Sequence, residues 1–191
     1  MQKCGLASLA MFFCDFREDQ KQSVRGLLSS VLVQLCHQSD AYCDILSKLF
    51  SEHNDGSEPP SDRRLGRCLN DILEVPRQAP IFLIVDGLDE CPDTAGMPSP
   101  REKVLSLLVD LIHARLPELR ICVTSRPKID IRNRVELLTF RPVYLHEERG
   151  QREDIENYIK SVVNTNRAMR RWRPVDKRLV IDVLTKHANG M

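Results

Sequence analysis

The sequence predicts an α/β protein with a parallel sheet under helical cover. Three features predict it: short apolar runs of strand length, segments of helical period between them, and turn residues at the junctions. Residues 6–16 (LASLAMFFCDF) are a nearly continuous apolar run, as expected of a strand covered on both faces. Val24, Leu27, Leu28, Val31, Leu32 and Leu35 then recur at helical spacing and define one apolar face. A second helix is expected over residues 41–53, with Ile45, Leu46, Leu49 and Phe50 sharing a face. Residues 54–61 (NDGSEPPS) are a loop by their turn residues, and Leu65, Cys68, Leu69, Ile72 and Leu73 mark a third helix.

Residues 81–85 (IFLIV) follow Pro80 and precede Asp86-Gly87, which suits a buried parallel strand, although periodicity alone also allows a helix. A Pro- and Gly-rich loop covers residues 91–100. Ser99-Pro100-Arg101-Glu102 is a helix start: Ser99 caps, Pro100 opens the first turn, and Glu102 completes a capping box. That helix turns Val104, Leu108 and Leu111 inward and runs to about Ala114. Residues 120–124 (RICVT) are a short buried strand, stopped by Ser125-Arg126-Pro127, and residues 143–145 are expected as a last strand. Two amphipathic helices close the chain. Ile155, Tyr158, Ile159, Val162 and Val163 line one, and Val180, Val183 and Leu184 line the other. No internal repeat is visible.

The 191 residues suit one domain with a real core, and a net charge of +1 gives no field that gathers nucleic acid or anionic membrane. Seven cysteines without a CxxC pair argue against a closed disulfide framework and for thiols kept reduced in a cytoplasmic setting. Residues 1–16 read as a strand rather than a signal peptide, since Asp15 and Arg17 follow and no small-residue cleavage site is present. No stretch approaches the ~18 apolar residues of a membrane span. The five histidines show no HExxH or zinc spacing, and no nucleophile motif is recognisable. Residues 167–173 (RAMRRWR) mix arginine with Trp172, a combination that can stack on single-stranded nucleic acid. The favoured reading is a solvated turn between two helices, so nucleic acid is not expected as a partner.

Chemistry concentrates in residues 82–90 (FLIVDGLDE). A buried strand delivers Asp86 to its carboxyl end, where open α/β sheets bind ligands. Gly87 lets the backbone turn there, and Asp89 and Glu90 add two carboxylates. One carboxylate at a strand tip meets the needs of Mg²⁺, and a nearby acid can orient or deprotonate an attacking water. The plain alternative is a solvated acidic turn. Residues 121–127 (ICVTSRP) end a strand in Thr124, Ser125 and Arg126, hydroxyls and a guanidinium suited to a phosphate. Taken alone, that segment is a surface arginine in a turn; the acidic strand upstream gives it weight.

The pair FLIVDGLDE and ICVTSRP resembles the Walker B and sensor-one segments of NACHT domains, which are signal-transducing (STAND) P-loop NTPases. LLSSVLVQLC at residues 27–36 and SPREKVL at residues 99–105 are similar to the nephrocystin-3-like N-terminal NACHT modules abundant in fungi. The resemblance implies a three-layer P-loop NTPase core, a parallel sheet with helices on both faces, over residues 1–146, and a helical extension over residues 147–191. It implies a switch that binds ATP or GTP with Mg²⁺ and couples nucleotide state to oligomerisation. Asp86 would hold the metal, Asp89 and Glu90 would be catalytic, and Thr124, Ser125 and Arg126 would contact the nucleotide. The partners implied are other NACHT domains, in self-association or in longer homologues. The sequence departs from the family at one point: none of its eight glycines is followed by lysine, so the phosphate-binding G-x-x-x-x-G-K-[ST] is not among these residues. The expectation is therefore a chain clipped at both ends, without the central P-loop strand. Such a fragment would bind nucleotide weakly or not at all, or would serve as a non-catalytic interaction domain.

Overall fold

Three strands, β1 (Ser8–Phe13), β2 (Ile81–Asp86) and β3 (Leu119–Val123), form a parallel sheet in the order β1-β2-β3. They come from the three apolar runs, and β2 settles as a strand the segment whose period left a helix open. The computed structural model describes residues 6–53, 56–94, 96–138, 141–143 and 149–187. The chain divides into two units, Met1–Thr139 and Phe140–Met191.

In the first unit, β1 leads to α1 (Val24–Cys36), α2 (Asp40–Ser51) and α3 (Asp62–Leu73) before β2. Then α4 (Pro100–His113) joins β2 to β3, and a short α5 (Ile129–Val135) follows. Local chemistry sets the ends. Ser23 and Ser61 cap α1 and α3 by accepting the amides of Gly26 and Arg64. At α4 the capping box is complete: Ser99 Oγ accepts from Glu102 N at 3.2 Å, and Ser99 N donates to Glu102 Oε2 at 2.9 Å.

One apolar cluster joins Ala10, Phe12, Ile81, Leu83 and Val85 to the inward faces of α1, α3 and α4. Register puts Ala10 opposite Leu83 and Leu83 opposite Ile121, so these side chains share one face of the sheet. The other face carries Met11, Phe13, Phe82, Ile84 and Cys122, of which Phe13 is 52% exposed and Phe82 40% exposed. This corrects the expectation of strands covered on both faces. Burial alternates along β1 and β2, and β3 is nowhere fully buried. An uninterrupted apolar run conceals that alternation, because both faces of the strand are apolar in sequence.

The expected last strand is also corrected in part: Val143 is outside any strand and exposed, while Tyr144 and Leu145 lie outside the described residues. The helix α5 was not foreseen, and it buries Ile131 against the core.

β1 has a second partner besides β2. Gln34 near the end of α1 and Gln38 in the turn just after it lay their side-chain amides along its outer edge. Leu9 N donates to Gln38 Oε1 and Met11 N to Gln34 Oε1, both at 2.9 Å. Gln38 Nε2 and Gln34 Nε2 return bonds of 2.7 Å to Leu9 O and Met11 O. Two side chains thus satisfy four edge groups that a further strand would otherwise pair.

Gly26 sits inside α1, where alanine is ordinarily the better helix residue. Here a Cβ would lie 1.7 Å from the carbonyl oxygen of Gln20, a backbone atom. Gly26→Ala is therefore expected to destabilise, by about 1–3 kcal/mol, reversing the usual sign. Urea unfolding of the two proteins measures it, and an unchanged or raised midpoint would contradict the close approach.

The second unit holds α6 (Arg149–Thr165) and α7 (Pro174–His187). The turn between them contains residues 167–173: Arg173 pairs with Asp176 at 2.9 Å, and Trp172 is exposed, at 41%. Among the described residues no helix is long and apolar enough to cross a membrane.

Candidate functional site

The carboxyl ends of β2 and β3 bring the two chemically marked segments together. Asp86 is the last residue of β2, and Gly87 follows it in the left-handed region (φ 68°), as the tight turn requires. Thr124, the first residue beyond β3, binds three groups of this turn. Its amide donates to Val85 O at 2.9 Å, its carbonyl accepts from Leu88 N at 3.0 Å, and its hydroxyl accepts from Gly87 N at 3.0 Å. The same hydroxyl donates to Asp86 Oδ1, which fixes that carboxylate.

Asp89 and Arg126 face each other as well. Asp89 Oδ1 accepts from Arg126 N at 2.9 Å, and its other oxygen lies 3.6 Å from Arg126 Nε. Ser125 Oγ is 3.5 Å from Asp89 Oδ1. The Asp89 side chain is 9% exposed and that of Arg126 is 79% exposed, so the carboxylate is held while the guanidinium reaches toward solvent. Glu90 turns to the β1 side, where its Oε2 accepts from Phe16 N at 3.2 Å. The six residues singled out in the sequence thus form one cluster across two strand ends. Within it, Asp89 is engaged by the very segment expected to read a phosphate.

Arg101 is the residue that sequence reasoning missed. It is only 4% exposed, at the start of α4. Its guanidinium donates to Asp89 O at 2.8 Å and Cys91 O at 2.9 Å, and it pairs with Asp93 at 2.9 Å and Asp130 at 3.0 Å. One cation therefore ties the acidic turn, the loop behind it and α5 to α4. A signal was available: Arg101, Val104, Leu105 and Leu108 are spaced as a single inward helical face. An arginine in an apolar stripe needs buried acceptors.

Beneath the turn lie two buried thiols. Cys14 follows β1 and Cys91 follows Glu90, and their sulfurs are 3.5 Å apart. The hydrogen bond they share, then burial, pushes the Cys14 thiol up. That same bond, helped by the nearby Arg101 guanidinium and opposed by burial, holds Cys91 below the ordinary thiol value.

Among the described residues no group of three or more His, Cys, Asp or Glu could hold a metal ion. Mg²⁺ does not need one, since it keeps several waters and takes one or two carboxylates beside phosphate. Asp86, at a strand tip and oriented by Thr124, has the chemistry for that role.

The model of the family described as nephrocystin 3, N-terminal, matches residues 1–126. The chain belongs to that family. No curated protein and no solved structure matches it. The match takes in β1 and ends at Arg126, so all six clustered residues of this nephrocystin 3 N-terminal chain lie inside it. A cleft of about 560 Å³ opens at the other end of the sheet, beside Ser8, Gln38, Tyr42 and Gln78. Tyr42 donates there to Gln78 Oε1 at 2.8 Å, and no acidic cluster accompanies it. The carboxyl ends of the strands hold the chemistry.

Proposed function

We propose that this chain is the acidic half of a NACHT-type nucleotide switch, a module whose partners read whether a triphosphate is bound. The observation that carries this reading is the Asp86–Thr124 pair at adjoining strand ends, with Asp89 and Arg126 beside it. Asp86 would hold Mg²⁺, which on binding neutralises phosphate charge. Glu90 or Asp89 would orient a water. Arg126 would exchange its contact with Asp89 for a phosphate oxygen, because a guanidinium binds either anion in the same geometry. Without the amides and lysine of a phosphate loop, these residues hold only part of a triphosphate.

Isothermal titration with Mg-ATP and Mg-GTP tests the proposal. The expected result for these residues alone is an affinity weaker than about 100 μM, in the millimolar range of a few polar contacts. Asp86→Asn should weaken it further and remove its Mg²⁺ dependence. Low-micromolar affinity, or binding indifferent to Asp86→Asn, would overturn the assignment.

A second reading, an interaction domain that pairs with NACHT proteins including its own copies, is favoured by one observation. Phe13 and Phe82, four register positions apart on neighbouring strands, are both exposed on the same open sheet face. Light scattering across a concentration series decides it. A dimer that Phe82→Glu dissolves supports this reading, and a monomer throughout removes it.

A further inference from the structure

The six candidate nucleotide residues leave one reactive pair unused. Cys14 and Cys91 come from positions 77 apart in the sequence, yet their sulfurs meet at 3.5 Å. Parallel register explains the meeting. Phe13 stands opposite Asp86, and Cys14 N donates to Asp86 O at 2.9 Å, so the chain leaving β1 runs beside the acidic turn. Arg101 holds that turn from behind through Cys91 O. The sulfurs need to close by roughly 1.5 Å to reach the ~2.05 Å of a disulfide bond. Neither thiol is required to satisfy any other side chain among the described hydrogen bonds.

We propose that Cys14 and Cys91 are a redox-closable pair, joined to a disulfide by a hydroperoxide and reopened by thiols. The step balances in two stages. Cys91 sulfur attacks one oxygen of hydrogen peroxide; the O–O bond breaks, an S–OH forms, and the released hydroxide leaves as water with the thiol proton. Cys14 sulfur then attacks Cys91 sulfur; the S–O bond breaks, the S–S bond forms, and a second water departs with the Cys14 proton. Two thiols lose two electrons in all, and the peroxide gains them. Cys14 is 7% exposed and Cys91 is fully buried, so a small oxidant reaches them through local opening of the segment after β1, whose Phe16 is 68% exposed. Closure would tie the loop after β1 to the turn carrying Asp89 and Glu90. The contact of Phe16 N with Glu90 would then be held by a covalent bond two residues away on one side and one on the other. This pairing does not depend on nucleotide binding.

Peroxide titration of the full chain tests it, in a Cys4→Ser/Cys43→Ser/Cys122→Ser background that removes Cys4 and the two exposed thiols among the described residues. Differential alkylation and peptide mass mapping give the readout. A peptide pair joining Cys14 to Cys91, lighter by two hydrogens and restored by dithiothreitol, is expected. The oxidised protein should also melt about 5–10 °C higher than the reduced one, since the bond closes a long loop. Cys36 and Cys43 also interact, and a cross-link formed only between them in the unsubstituted chain would overturn the assignment. So would recovery of Cys14 and Cys91 as free thiols, or their separate conversion to sulfinic acids. Cys14→Ala should abolish the cross-link and leave Cys91 alkylatable; because mapping also works on the protein that keeps both thiols, misfolding of that variant would not decide the matter.

Discussion

Replacing Arg101 by methionine is expected to cost about 3 kcal/mol of stability. The loss is large because the side chain is 5% exposed and serves four acceptors at once. Methionine fills the space of the stem, so the change reports the guanidinium rather than a cavity. Without it, Asp89 O and Cys91 O lose their donor, and an unsatisfied buried carbonyl costs ~1–3 kcal/mol. The two ion pairs add less, because Asp93 and Asp130 are 55% and 42% exposed and water can replace the cation there. Arg101→Lys should recover only part of the loss, since one ammonium cannot reach four acceptors placed around a planar fork. Urea unfolding of the three proteins measures this. Equal midpoints for arginine and methionine would mean that the turn does not depend on Arg101. Hydrogen exchange should show the loss locally, with faster exchange at Gly87, Leu88 and Glu90, whose amides close the acidic turn.

The double change Gln34→Ala/Gln38→Ala is expected to cost about 2–4 kcal/mol and to increase self-association. Four hydrogen bonds to the β1 edge disappear together, each worth roughly 0.5–1.5 kcal/mol net. Alanine is a good helix residue, so α1 itself should not weaken. The edge would then present Leu9 and Met11 backbone groups that another chain can pair with. Single variants should fall short of half the effect, because the remaining amide still holds one of the two residues. Unfolding midpoints and light scattering decide it. A double variant that is as stable and as monodisperse as the parent would show that water serves the edge equally well.

Much of the fold was legible from residue order. Five apolar positions of α1, Leu27, Leu28, Val31, Leu32 and Leu35, are all buried as their spacing predicts. The capping box at Ser99 and Glu102 is a local arrangement, so four residues were enough to read it. The strand expected at residues 81–85 could be placed from its length and its Asp-Gly stop, and it runs one residue further, to Asp86. The site was legible in composition but not in its pairings. FLIVDGLDE and ICVTSRP marked the right residues, yet nothing in their spacing showed that Asp89 would accept from Arg126 N or that Glu90 would accept from Phe16 N.

Sequence alone therefore established most of the elements, though not α5, together with the capping box of α4 and the acids and hydroxyls at two strand tips. Those are properties of neighbours along the chain, set by turn chemistry and by periods of two and 3.6 residues. Tertiary structure decided which sheet face is covered, which glutamines guard the β1 edge, and which arginine anchors the acidic turn. It also decided which two of seven cysteines meet. Each of these depends on strand register and helix placement, which bring together groups as far as 77 positions apart. Local sequence carries no term for such distances, because the contact exists only once the sheet has formed.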